Sequence, residues 1–448
     1  MYDPLVDSDI GVAMPYPASY WATTEVVNRH ATPYNKLSTD IDTDVVVIGG
    51  GYTGLSCAYQ LASHFSREVT LLEANQIGWG CSGRNAGFVL RGTGRLGLAQ
   101  LSEKFGLDIA KGFHQEYSAA LALVGQMIDS GNIDCQRQQT GYLKVAHKAA
   151  LVESLRQQAT YLQQQFGYQA EFLPAQALTE RYMQNSQAYG ALRFDDCYGV
   201  NPLALALGYA RMATETGAKL YSATPVLSWQ RSRSGGFVLQ TPEATVRCKQ
   251  LVLATNGYTP NRFYPALNKA CLPVLSSIIV TSPLTEQQLA HSGLWHNQLV
   301  MDTRALKYYY RKLPDNRILF GGRSAVYGKD AEQPVYPRRL LQALTNCFPM
   351  LEGVCTDYHW SGWVAVSIDD LPRVCQAEPD LFYAAGYCGS GLSFSTQAGK
   401  RLAQLCMGQA LPALPLYQGP LKPFPLPALR RVGQQAYYQW GRFSDRFL

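Results

Sequence analysis

The chain has 448 residues, 47% of them hydrophobic and 16% charged, with a formal net charge of +6. That length exceeds one usual core and predicts two or three domains, and the composition is that of a globular protein. The mild positive charge has no long basic run behind it, which excludes a nucleic-acid role, and no window reaches the ~18 uninterrupted apolar residues of a membrane span. The 11 cysteines are scattered without a Cys-x-x-Cys and the 7 histidines without a ligand-spaced pair, so neither a disulfide framework nor a metal site is expected. The first residues carry Asp3, Asp7 and Asp9 where a signal peptide would be basic and then apolar. A reducing, cytoplasmic location is the expectation.

Residues 1–43 form a leader interrupted by Pro4, Pro15, Pro17 and Pro33, expected to lie irregularly over the body. A strand is predicted from Asp44 through the apolar run Val45–Ile48, followed by Gly49-x-Gly51-x-x-Gly54. Helical apolar spacing runs over 55–62, and a second strand over 68–73 ends in Glu73. That order is a dinucleotide-binding unit: Gly49 permits the tight turn, Gly51 close approach to a pyrophosphate, and Gly54 close packing of helix on strand. The helix N-terminus would face the phosphates, and Glu73 would accept from a ribose hydroxyl. A second glycine-rich loop, Gly78-Trp-Gly-Cys-Ser-Gly-Arg-Asn-Ala-Gly87, offers Ser82, Arg84 and Asn85 as donors and suggests a ligand larger than one nucleotide.

Helical patterns dominate 99–131 and 148–184, and a further helix is predicted from Pro202 to Thr216, ended by Gly217. Short β-like runs follow at 219–222, 237–240, 250–254, 277–281, 306–311 and 317–320, with turn residues at Gly235-Gly236 and Asp315-Asn316. Gly386-x-x-Gly389-x-Gly391 precedes a helical stretch, Leu392 to Cys406, whose N-terminal dipole could stabilise an anion. Residues 411–427 contain Pro412, Pro415, Pro420, Pro423, Pro425 and Pro427 and predict an extended connector. Beyond it Leu429, Val432, Ala436, Trp440, Phe443 and Phe447 recur at helical steps, with Arg430, Arg431, Arg442 and Arg446 on other faces. This amphipathic helix is expected to dock on the body, on a partner subunit or on a membrane surface.

The Asp44–Ser56 strand and turn, Leu71-Leu-Glu-Ala74 and the Gly78–Gly87 loop resemble the FAD-dependent amine and amino-acid oxidoreductases. Three later segments agree: Leu251–Tyr258, the pair Tyr309–Lys312 and Arg317–Gly322, and Trp360–Pro372 followed by Gly386–Leu392. Within that family, Ser19-Tyr-Trp-Ala22 and the Gly-Trp-Gly loop look most like the γ-glutamylputrescine branch. The resemblance implies a mixed α/β fold: a Rossmann-like FAD-binding domain (44–98, 190–260, 355–410) interleaved with an antiparallel-sheet substrate domain (99–189, 261–354). It implies ADP contacts at Gly49, Gly51, Tyr52, Thr53, Gly54, Glu73 and Ala74, with Val226, on a strand after Gly217, facing the adenine. Gly80, Cys81, Ser82, Arg84, Asn85, Ala86, Gly87 and Phe88 would run along the pyrophosphate and flavin edge. Thr255 and Gly257 would pass under the cofactor, and Gly389, Ser390, Gly391, Leu392 and Ser393 would meet the pyrimidine end. Gly362 stands where some members tether FAD through cysteine, so non-covalent FAD is expected, and Ser390 replaces the usual histidine.

The implied chemistry is oxidation of a small-molecule primary or secondary amine, a γ-glutamyl polyamine or an amino acid, by hydride transfer to flavin N5. Arg311 is the expected carboxylate clamp, because guanidinium forks suit carboxylates, with Tyr309 on the same strand face. Trp360, Trp363 and Tyr258 are expected to wall the pocket. Alternatives are a dehydrogenase passing electrons to a quinone or protein acceptor, an NAD-linked dehydrogenase, or a silent flavin-binding or maturation protein.

Overall fold

Val45–Ile48 forms the buried end of a longer strand, Ile41–Ile48, with Val45, Val46 and Val47 fully out of water. It pairs in parallel with Val69–Leu72 on one side (Val45 opposite Val69) and with Thr245–Leu253 on the other (Val46 opposite Leu251). The computed structural model, which describes residues 1–447, extends this sheet in the order Arg373–Glu378, Leu381–Ala385, Thr245–Leu253, Ile41–Ile48, Val69–Leu72, Lys219–Tyr221. All neighbours in that row are parallel except the first two. The hairpin Ser228–Arg231 and Phe237–Gln240 hangs from Thr245–Leu253, with Gly235 and Gly236 in its turn. Unalternating apolar strands require cover on both faces. The helices Tyr52–Phe65, Pro202–Glu215 and Leu392–Cys406 pack on one another in one such layer. Asn201 caps the second by accepting from the Ala204 N–H at 3.1 Å.

A second sheet follows the order Thr356–Val366, Leu272–Thr281, Ile318–Arg323, Tyr309–Lys312, Leu299–Asp302, Tyr142–Val145, Gly190–Phe194, Glu171–Pro174. Every pairing is antiparallel except Leu299–Asp302 with Tyr142–Val145. One hydrophobic cluster joins the sheets, including Val47 and Leu71 from the first and Ile278, Leu319 and Trp360 from the second. The mixed α/β architecture is the one the sequence predicts.

Several boundaries differ from expectation. Gly190–Phe194 and Thr356–Val366 belong to the second sheet, not to the cofactor domain: the first pairs with Tyr142–Val145 and Glu171–Pro174, the second with the distant Leu272–Thr281. The 148–184 region holds the strand Glu171–Pro174 between two helices, and the 99–131 region breaks into Leu98–Phe105 and Leu107–Ser130 at Gly106. Val226 lies in the loop between Lys219–Tyr221 and Ser228–Arg231, not on a strand. The leader is largely irregular as expected, yet it anchors through the buried Trp21 and a short helix, Glu25–His30.

The C-terminal helix, Arg430–Phe447, inverts the usual rule. Arg431, Gln434, Tyr438 and Gly441 face the body, while Val432, Trp440, Phe443 and Phe447 face outward. The connector before it is held by buried Leu414, Leu416 and Leu421. Among the described residues no helix is long and apolar enough to cross a membrane, and no cluster of His, Cys, Asp and Glu could hold a metal.

Candidate active site

A single elongated cavity of about 1000 Å³ runs from Glu73 and Val226, past the glycine turn, to the face of the second sheet. At the first end the turn is built for close approach. Gly49 has φ +113°, and a Cβ on Gly54 would lie 2.0 Å from the Gly49 carbonyl oxygen, so only glycine lets the helix Tyr52–Phe65 meet its strand. The Glu73 carboxylate accepts from the Gly50 N–H at 2.7 Å and the Asn75 N–H at 2.9 Å. Burial pushes its carboxyl up, against the pull of those N–H bonds. Ser82 Oγ accepts from Tyr52 N at 3.0 Å, closing the glycine-rich loop onto the helix start.

That loop is held from beneath by two indoles. Trp21 Nε1 donates to the Asn85 carbonyl at 3.0 Å, and Trp360 Nε1 donates to the Arg84 carbonyl at 2.8 Å. The two rings meet edge to face at 6.2 Å. Trp360 therefore lies under the loop, not on the cavity wall where it was expected, and Trp363 is likewise buried, with Nε1 on the Tyr2 carbonyl. Arg84 stacks on Trp79 at 4.4 Å and donates to the Trp79 and Ser361 carbonyls. Asn85 uses its amide within the loop, donating to the Cys81 and Ser82 carbonyls and accepting from Gly87 N. Both still line the cavity, with Gly80, Cys81, Ser82, Ala86 and Phe88.

Arg311 is not where a substrate clamp must be. It is buried beneath Gly87 and Gly199, donating to Gln138 Oε1 at 2.7 Å and to the Val200 carbonyl at 2.6 Å, and it does not line the cavity. A Cβ at Gly199 would come within 2.1 Å of its guanidinium. Burial pulls its pKa down to about 9. Strand alternation set Tyr309 and Arg311 on one face, but the glycine-rich loop covers that face beyond Tyr309. Tyr309 does line the cavity, its hydroxyl 2.8 Å from Ser276 Oγ, and so does Tyr258, whose hydroxyl accepts from Trp363 N at 3.1 Å.

The charged groups at this end are ones the sequence reading missed. Lys144, Lys307, Arg95 and Arg323 all line the cavity, as do Arg84 and Arg91, whereas Glu73 is the sole acid among the described lining residues. Lys144 stands opposite Met301, which in turn stands opposite Tyr309, so the three form one cross-strand row. Burial, aided by Lys307, brings the Lys144 pKa down to about 8. Burial and then Arg95 and Arg323 lower that of Lys307. Lys307 rides on a loop that Asp302 organises, accepting from Arg304 N and Tyr308 N. The available signal was the alternation of Tyr142-Leu-Lys144-Val between two helical regions.

The closing loop completes the wall. Gly389, Ser390, Gly391, Leu392 and Ser393 line the cavity, and the helix Leu392–Cys406 starts there with Gly391 as its first cap, leaving first-turn N–H groups without a side-chain partner. Thr53 Oγ1 and Tyr387 OH, 2.7 Å apart, tie this loop to the dinucleotide helix. Thr255 and Gly362 line the cavity, whereas Gly54, Gly87 and Gly257 support it from behind.

An acid-tipped glycine turn, two helix N-termini and one continuous cavity at the upper end of the usual ~300–1,000 Å³ range fit a long dinucleotide such as FAD. The family model for FAD dependent oxidoreductases matches residues 44–405. The chain is 32% identical over 397 residues to the γ-glutamylputrescine oxidoreductase of Escherichia coli strain K12, covering 88% of this chain and 89% of that protein. It is 24% identical over 376 residues to the glycine oxidase of Bacillus licheniformis, covering 82% and 93%. The crystal structure of glycine oxidase from Geobacillus kaustophilus superposes with a TM-score of 0.69 at 21% identity, covering 84% of this chain and 97% of that one. The chain belongs to the family of FAD-dependent oxidoreductases.

Proposed function

We propose that this enzyme oxidises the carbon–nitrogen bond of a primary or secondary amine that also bears a carboxylate, of the γ-glutamyl polyamine or amino-acid kind. The observation that carries this reading is the wall of Arg95, Lys144, Lys307 and Arg323 around a cavity whose one lining acid, Glu73, is at the opposite end. FAD supplies the hydride acceptor at flavin N5. The protein's share is positioning and electrostatics. The cations hold the carboxylate, and the same positive field disfavours an ammonium beside them, so the bound amine sheds its proton and presents a lone pair. Loss of hydride from carbon then leaves an iminium ion, which releases a proton to water as the imine or takes up water directly, giving a carbonyl compound and ammonia or a smaller amine. No histidine lines the cavity among the described residues, and this route needs no side-chain base.

Non-covalent retention of FAD belongs to the same reading. Burial pushes the Cys81 and Cys388 thiols up to about 11, away from the thiolate that a covalent link requires, and Gly362 offers no sulfur. The name of the Escherichia coli relative supports the polyamine form of the substrate. A second reading, electron transfer to a quinone, is favoured by an apolar cleft of about 410 Å³ lined by Val274, Val366 and Leu426 that shares Arg95 and Arg323 with the wall of the main cavity.

Anaerobic mixing of the yellow protein with a panel of amines tests the proposal. Carboxylate-bearing amines should bleach the flavin fast and simple diamines slowly; equal bleaching by both would remove the assignment. Peroxide release on admitting air separates oxidase from quinone-linked dehydrogenase.

A further inference from the structure

We propose that the helix Arg430–Phe447 is a membrane-surface anchor that seats its outward stripe on an anionic bilayer. The stripe is Leu429, Val432, Trp440, Phe443 and Phe447, between 52% and 64% exposed, and Leu426 just before the helix is 65% exposed. Such a face would ordinarily roll inward. Here the opposite face is locked. Arg431 donates to Asp3 at 2.7 Å and to the Pro273 carbonyl at 2.9 Å, and its guanidinium lies 5.0 Å from the Trp363 ring. Asp445 accepts from Ala305 N at 2.6 Å and Leu306 N at 3.0 Å, and Gly441 lets the helix sit close to Leu306, which would lie 2.8 Å from a Cβ at that position. Rolling the helix would strand a buried ion pair and two backbone donors.

Charge selects the occupant. Arg442 and Arg446 flank the stripe, and Arg338 and Arg339 stand exposed on the neighbouring helix Val335–Cys347. Asp445, the one acid of the anchor helix, is already engaged by backbone N–H groups. Aromatic and aliphatic side chains bordered by guanidiniums are the makeup of a helix lying in the headgroup plane of an anionic leaflet. A second copy of the same stripe would bring the same cations and no free acid to meet them. The position also has a use: Leu426, Leu429, Gly433 and Tyr437 line the apolar cleft whose other wall, Arg95 and Arg323, also lines the main cavity, so the anchor places that cleft at the bilayer surface.

The test is sedimentation of the flavin-loaded full chain with vesicles of phosphatidylcholine alone or with phosphatidylglycerol added. The expected result is pelleting with the anionic vesicles, weakened by salt, and a fall of tenfold or more in the triple variant Trp440→Ser, Phe443→Ser, Phe447→Ser. That variant should keep its flavin spectrum and its turnover of soluble amine, which separates this proposal from the substrate reading. A wild-type chain that stays in the supernatant overturns the anchor, and so does equal pelleting of the variant. Concentration-dependent dimers that vanish in the triple variant would assign the stripe to a second copy instead.

Discussion

At the scale of single residues, the cations around the substrate end make the sharpest claims. Lys307→Met should raise KM for a carboxylate-bearing amine about 10- to 100-fold, the worth of a charged hydrogen bond of ~1.5–3 kcal/mol, while leaving a carboxylate-free amine nearly unchanged. Steady-state kinetics on such a pair of substrates checks it. Because burial lowers the Lys144 pKa to about 8, its charge is present below that pH and is lost above it. KM for the carboxylate substrate should therefore climb as pH passes about 8, and the climb should vanish in Lys144→Met. Arg311 predicts the opposite pattern. Its replacement by alanine would strand the Val200 carbonyl and open a cavity, costing about 2–4 kcal/mol. Thermal unfolding and FAD retention should suffer, with no discrimination between substrates. The sequence showed an arginine among tyrosines on a predicted strand. It did not show Gly87 and Gly199 closing over that arginine, because that contact joins segments far apart in the chain.

Elements were legible where local chemistry dictates them. The Gly49–Gly54 turn, the Pro202 helix with its Asn201 cap and the helix from Leu392 to Cys406 each carry their own start and stop signals. Tyr142–Val145 and Glu171–Pro174 escaped, being four-residue strands embedded in helical surroundings whose stability comes from partners across the sheet. The glycine-rich loop was recognised as a cradle, but its support was invisible, since the two indoles beneath it come from other elements. Trp360→Phe keeps an aromatic ring but removes the indole N–H, a hydrogen bond worth ~1 kcal/mol, along with part of the buried ring. It should weaken FAD binding several-fold, read as flavin loss on dialysis, with little change in amine KM for the molecules that remain loaded.

For the molecule as a whole, sequence order is a poor guide to which sheet a segment joins. Thr356–Val366 is followed closely by strands of the dinucleotide sheet, yet it pairs with Leu272–Thr281 in the other. The periodicity of the last helix was clear, but its orientation was not, because Asp3 and the Ala305–Leu306 backbone decide which face turns in. Asp3→Asn leaves Arg431 buried without its counter-charge, at a cost of about 3–5 kcal/mol. The helix should then detach before the body unfolds. Limited proteolysis should cut within 411–427 while the flavin stays bound, and a connector as resistant as in the wild type would show that the ion pair is dispensable.

The loop clamped by Trp21 and Trp360 has a meaning in time as well as space. Its donors are separated from it by 64 residues on the N-terminal side and 276 on the C-terminal side. A ribosome releases the Gly49–Gly54 turn early, with its phosphate-binding geometry encoded locally, but Arg84 waits for most of the chain before its carbonyl finds an indole. A nascent chain halted before Trp360 would thus carry the complete fingerprint without the second indole beneath the loop, and it should emerge colourless when its absorbance is read against the full-length protein.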